Sequence, residues 1–136
     1  MPRQFGFLTL CCLCLCSCST SYPNLDHCEA LTGDAIERTF ANVVDTAIVR
    51  GLKNGRATNH WYADGRFTSE WTGRDSGGQV SGTWHVEDNQ RCVIVASGSP
   101  ETIPHKTCSP LYQCDDRIVS INADGSIHGI HRLHQP

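Results

Sequence analysis

Downstream of residue 30 the spacing of apolar residues changes once, from a helical period to a period of two. Thr32 can cap free amide donors, Asp34 sits at the positive end of the dipole that follows, and Ile36, Phe40 and Val43 or Val44 recur at helical intervals. This predicts one helix of roughly two to three turns with a single face on a core. After it, turn signals come roughly every eight to twelve residues. Lys53-Asn54-Gly55-Arg56 reads as a type I′ hairpin turn, and Asp64-Gly65 and Asp124-Gly125 stand between strand-like segments in the same way. Over residues 66–72, Phe67, Ser69 and Trp71 share one face; over residues 79–86, Val80, Gly82, Trp84 and Val86 do. Both read as strands buried on one side, with Trp71 and Trp84 meeting in the core. Residues 92–96 are apolar on both faces and predict a covered strand, 97–106 a loop with Pro100 and Pro104, and 117–122 with 126–133 a last hairpin. The expected fold is α+β and mainly β: one short N-terminal helix packed on an antiparallel meander of about six or seven strands, able to form a partly closed barrel. Without α/β alternation there is no nucleotide-binding switch point, and no cofactor is expected.

Upstream the pattern differs. Residues 5–16 form an apolar run behind Arg3, about as long as a signal-peptide core and shorter than the roughly 20 residues that span a bilayer. Of nine cysteines, Cys11, Cys12, Cys14, Cys16 and Cys18 lie in this run or at its end, where they count as apolar residues. Leu15-Cys16-Ser17-Cys18 resembles the lipobox of bacterial lipoproteins. The resemblance implies cleavage before Cys18 and diacylglyceryl attachment to its sulfur, with N-acylation in many Gram-negative bacteria. Several chains, at ~0.8 kcal/mol per buried CH₂, suffice for anchoring where one is marginal. Ser19 lacks the acidic character associated with inner-membrane retention, which places the anchor in the outer membrane facing the periplasm. The expected organisation is a lipoprotein signal peptide over 1–17, a lipidated tether over 18–30 and a β-rich domain over 31–136. An ordinary signal peptide, giving a soluble periplasmic or secreted protein, is the alternative.

A chain of 136 residues supports one core. A formal charge of −3 without a basic run argues against a nucleic-acid partner, which needs clustered Lys and Arg. The remaining cysteines, Cys28, Cys92, Cys108 and Cys114, favour two bridges in an oxidising compartment. They permit three pairings; Cys92 with Cys108, tying neighbouring strands, and Cys28 with Cys114, pinning the N-terminal region to the sheet, is the preferred one.

Candidate chemistry is sparse. His128, His131 and His134 recur every third residue, and on a helix they could approach one Zn²⁺ or Cu²⁺. On a strand His131 faces away from the other two, so a site would need His60, His85 or His105. Asp115-Asp116 reads as a solvated turn rather than a carboxylate dyad. There is no nucleophile-elbow motif and no Cys-x-x-Cys among the four cysteines, so no catalytic residue is assigned and an enzyme is not expected. Trp61 and Tyr62 are adjacent; on a regular strand one must point away from the core, which makes the pair a candidate binding patch.

The ordered residues Leu31-Thr32-Gly33 with Ile36, Tyr62 with Asp64-Gly65, Gly82-Thr83-Trp84 with Val86, Cys92, Cys108, Leu111-Tyr112 and Asp124-Gly125 resemble an uncharacterised family of small proteobacterial periplasmic proteins. The resemblance spans roughly residues 31–133 and implies a fold and a compartment, with no active site to carry over. Gly82-Thr83-Trp84 also resembles the Gly-x-Trp of lipocalins, although it lies mid-chain rather than near the first strand; a core tryptophan after a glycine that lets strands approach closely is the expected role. The expected function is therefore a lipid-anchored envelope protein, a non-enzymatic binding or envelope-interaction module whose partners are the membrane and an unidentified envelope protein or small ligand. The alternative is a periplasmic small-ligand or metal carrier using the C-terminal histidines.

Overall fold

The computed structural model describes residues 24–98 and 105–135. The expected signal peptide, Cys18 and the first part of the tether lie outside these residues. The last part of the tether is folded: Asn24 caps a short 3₁₀ turn at Leu25–His27, and a two-residue strand, β1 (Glu29–Ala30), follows.

Helix α1 (Gly33–Phe40) starts at the expected cap, where Thr32 Oγ1 accepts the Ala35 amide at 3.3 Å. It ends sooner than the apolar spacing suggested. Asn42 turns the chain through a positive φ of 58° while its side-chain oxygen accepts the Ala63 amide at 2.9 Å, so Val43 and Val44 enter a strand instead. Eight longer strands follow: β2 (Val43–Val49), β3 (Gly55–Trp61), β4 (Arg66–Thr72), β5 (Gly77–Glu87), β6 (Gln90–Ser97), β7 (His105–Cys114), β8 (Arg117–Ile121) and β9 (Ile127–His134). Each pairs antiparallel with the next, and β9 pairs with β2, so the sheet closes into an eight-stranded up-and-down barrel. β1 pairs with the last residues of β7, opposite Gln113 and Tyr112, just past the point where β6 begins. The strand number thus exceeds the expected six or seven, and the closure is complete. The β2–β9 seam joins segments far apart in the chain, a long-range pairing that local periodicity does not encode. The first hairpin turn also differs from the expected one: Asn54 supplies the positive φ, of 55°, but Gly55 already belongs to β3.

Alternation places Val43, Asp45 and Ala47 of β2, Ala57, Asn59 and Trp61 of β3, and Phe67 and Ser69 of β4 inside the barrel. α1 covers one end. Its Ile36 and Phe40 are fully buried in a core with Val43, Trp61, Phe67, Trp84, Leu111 and Ile118. Trp61 is the centre of this cluster, edge-on to Phe40 at 5.5 Å and to Trp84 at 6.0 Å. The tryptophans that meet are therefore Trp61 and Trp84, because Trp71 lies at the far end of β4, by the opposite mouth. At Gly82, beside the β5 bulge, any Cβ would collide with the Ile94 carbonyl, so the glycine before Trp84 lets neighbouring strands approach. The barrel carries two disulfides, Cys28–Cys114 at the helix-covered end and Cys92–Cys108 between directly opposed residues of β6 and β7.

Candidate ligand site in the barrel lumen

An eight-stranded barrel has an interior that side chains can just fill, or that can hold one small ligand if they are kept small. Here the inward positions midway along the strands are Ala47, Ala57, Ser69, Thr107, Ser109 and Gly129. They leave a lumen of about 340 Å³, within the size range of small-molecule sites. Val49, Leu52, Trp71, Val80 and Val95 surround its mouth, and Trp61 and Phe67 close its floor against the core.

Two buried polar groups stand at the floor, in unlike circumstances. Asp45, fully buried on β2, accepts hydrogen bonds from Asn59 Nδ2 at 3.0 Å, Trp61 Nε1 at 2.7 Å and His131 Nδ1 at 3.1 Å. Burial pushes its carboxyl up, but the hydrogen bond and charge of His131, the charge of Arg91 and the Trp61 hydrogen bond together hold it below its ordinary value. Nε2 of His131 is 2.9 Å from Ser120 Oγ, which also approaches the Gly129 carbonyl at 3.4 Å.

Arg91, on β6, is 5% exposed. Its guanidinium lies 4.6 Å from the centre of the Phe40 ring and 4.1 Å from that of Trp61, close enough for cation–π contact with both. Among the described residues, however, its Nε and Nη1 have no hydrogen-bond partner. Burial draws its pKa down to about 10 against the upward pull of the Asp45 charge, so it stays protonated at neutral pH. Keeping that charge buried costs the fold on the order of 3 kcal/mol. Among the described residues the titratable side chains lining the lumen are Arg91, His128 and His131, all basic; Asp45 lies in the wall, its oxygens committed to its three donors.

The histidines of the last strand do not converge. His131 is buried in the Asp45 network, His134 points outward to Thr46 Oγ1 at 3.0 Å, and His128 stands at the lumen rim. Partial burial lowers the His128 pKa first, and the nearby His131 and Arg91 lower it further. His85, Glu87 and Cys92 bring ligand-type atoms within 4.8 Å of one another, but the Cys92 sulfur is in the bridge to Cys108 and offers no thiolate. Trp61 and Tyr62 form no joint surface patch: Trp61 is buried, while Tyr62 lies outside beneath the Arg66 guanidinium at 4.4 Å. Asp115 and Asp116 make the β7–β8 turn, where Asp116 faces Arg117 and Arg132, each at 3.6 Å.

Asp45, Asn59, Arg91 and Ser120 were not singled out from the sequence. Their signal was a polar residue at an inward strand position, as in Val43-x-Asp45-x-Ala47 and Arg91-x-Val93-x-Val95. No family model, curated protein or solved structure matches the chain.

Proposed function

We propose that this protein is a non-enzymatic binding module of the bacterial envelope that holds one small, partly apolar ligand inside its barrel. The observation that carries this reading is the lumen itself: a barrel closed at one end by α1 and Trp61, open at the other among the described residues, and left unfilled by the small residues midway along its strands. Trp61 and Trp71 both line it, so a bound ligand should change intrinsic fluorescence and raise the melting temperature. If a panel of small amphiphiles produces neither effect, the lumen reading is wrong. The envelope location rests on the leader and on Cys18, and is tested separately by intact mass and fractionation of the wild type and Cys18→Ser. A wild type without lipid mass that stays soluble would defeat the anchor.

One observation favours a second reading. Asp45, His131 and Ser120 have the connectivity of a hydrolytic triad. Ser120, however, is fully buried, and a substrate carbonyl must come within about 3 Å of a nucleophile. A fluorophosphonate adduct located on Ser120 by mass spectrometry would establish the hydrolase and displace the binding reading; an unmodified Ser120 leaves the chain a structural brace for His131.

A further inference from the structure

Resting on the lumen reading, we infer that the ligand is a monocarboxylate with a compact apolar body, its carboxylate on the guanidinium edge of Arg91 and its body running toward the mouth. A buried arginine in contact with two aromatic rings whose Nε and Nη1 lack partners among the described residues is a group the fold leaves incomplete. Its planar donors match a carboxylate, and a charge-assisted hydrogen bond is worth roughly twice a neutral one. Lysine would not be equivalent, because its compact ammonium lacks the planar fork of donors that matches a carboxylate.

The surroundings select the same chemistry. Among the described residues the lumen is lined by basic titratable groups alone, so an anion entering it meets no facing carboxylate from them, whereas an ammonium would meet Arg91. Above Arg91 on the same strand stand Val93 and Val95, and Trp71, Val80, Leu52 and Val49 complete the apolar upper wall. From Arg91 to Val95 the strand runs about 13 Å, or about 10 Å along the tilted barrel's axis, the depth over which polar floor gives way to apolar mouth. A lumen of 340 Å³ accommodates roughly eleven heavy atoms at ~30 Å³ each. That matches a medium-chain fatty acid or an aryl-alkyl acid.

The test uses the full chain with Cys18→Ser, so that no lipid of its own competes, titrated calorimetrically with octanoate, 1-octanol and octylamine. These probes share one tail and differ in the head group. Octanoate should bind at least about tenfold more tightly than octanol, and octylamine should not bind measurably. Arg91→Gln should bring octanoate down to the octanol level while leaving octanol unchanged. Octanol binding as tightly as octanoate, or octanoate binding undiminished in Arg91→Gln, overturns the carboxylate inference but leaves the lumen reading standing. Failure of all three probes, with no fluorescence change, sinks both. If Arg91→Gln does not fold, Ala57→Phe serves in its place: it fills the lumen while retaining the arginine, and must abolish octanoate binding. Retained binding there would place the carboxylate outside the barrel and refute the inference.

Discussion

At the helix-covered end of the barrel the inward positions carry Val43, Trp61, Phe67, Trp84 and Leu111; a few residues along the same strands they carry Ala47, Ala57, Ser69 and Ser109. Alternation is continuous through both regions, so the backbone pattern is the same and only side-chain volume differs. The covered end spends that volume on close aromatic packing, which stabilises the fold. The middle withholds it, and a closed barrel with small inward residues has an interior it does not fill. The buried charges divide along the same line. Asp45 is satisfied by Asn59, Trp61 and His131 and belongs to the packed end, while Arg91 packs against Phe40 and Trp61, has Nε and Nη1 without partners among the described residues, and belongs to both.

The division can be broken most severely at Asp45. Asp45→Ala leaves the Trp61, Asn59 and His131 donors and the Arg91 charge uncompensated, and should cost about 3–5 kcal/mol by urea denaturation. A loss below about 1 kcal/mol would mean that the network does not support the closed end. Phe40→Ala, which opens a cavity beneath Arg91, should cost a similar ~3–5 kcal/mol. Removing the bridges as alanine pairs comes next. Cys28–Cys114 closes a separation of 86 residues and should cost about 4.5 kcal/mol, and Cys92–Cys108, with a separation of 16, about 3 kcal/mol. Equal losses would point to native-state contacts rather than chain restriction.

Enlarging the middle layer is the sharper contrast. Ala47→Val, which would strain a filled core by about 1–3 kcal/mol, should here change stability by less than about 1 kcal/mol. A large loss would show the lumen to be packed after all. The smallest effect is the acid response. The Asp45 pKa lies below its unfolded value of about 3.9, so its contribution is complete above that pH and is lost as pH falls through the folded value. The melting temperatures of wild type and Asp45→Asn should therefore draw together below about pH 4.

The helix cap at Thr32, the inward faces of β4 and β5 and the close approach at Gly82 were legible because each depends on residues near one another in sequence. The β2–β9 seam was not, since nothing local in Val43–Val49 names Ile127–His134 as its partner. Helical spacing drew Val43 and Val44 into α1 because the reversal at Asn42 depends on a hydrogen bond to distant Ala63. The candidate site was read through its histidines, which strand geometry separates. Its decisive residue, Arg91, stands just ahead of the 92–96 segment whose apolar residues drew the reading. An inward arginine becomes informative only when the rings that flank it, Phe40 and Trp61, arrive from elsewhere in the chain.

The Cys28–Cys114 bridge has a mechanical consequence. Any pull applied upstream of Cys28 enters the barrel through a covalent link at the last residue of β7 and bypasses the two-residue pairing of β1. The other end of that strand, at His105, lies beside the lumen mouth. Load and entrance therefore sit at opposite poles, and tension on the N-terminal segment reaches the mouth only along the full length of the wall.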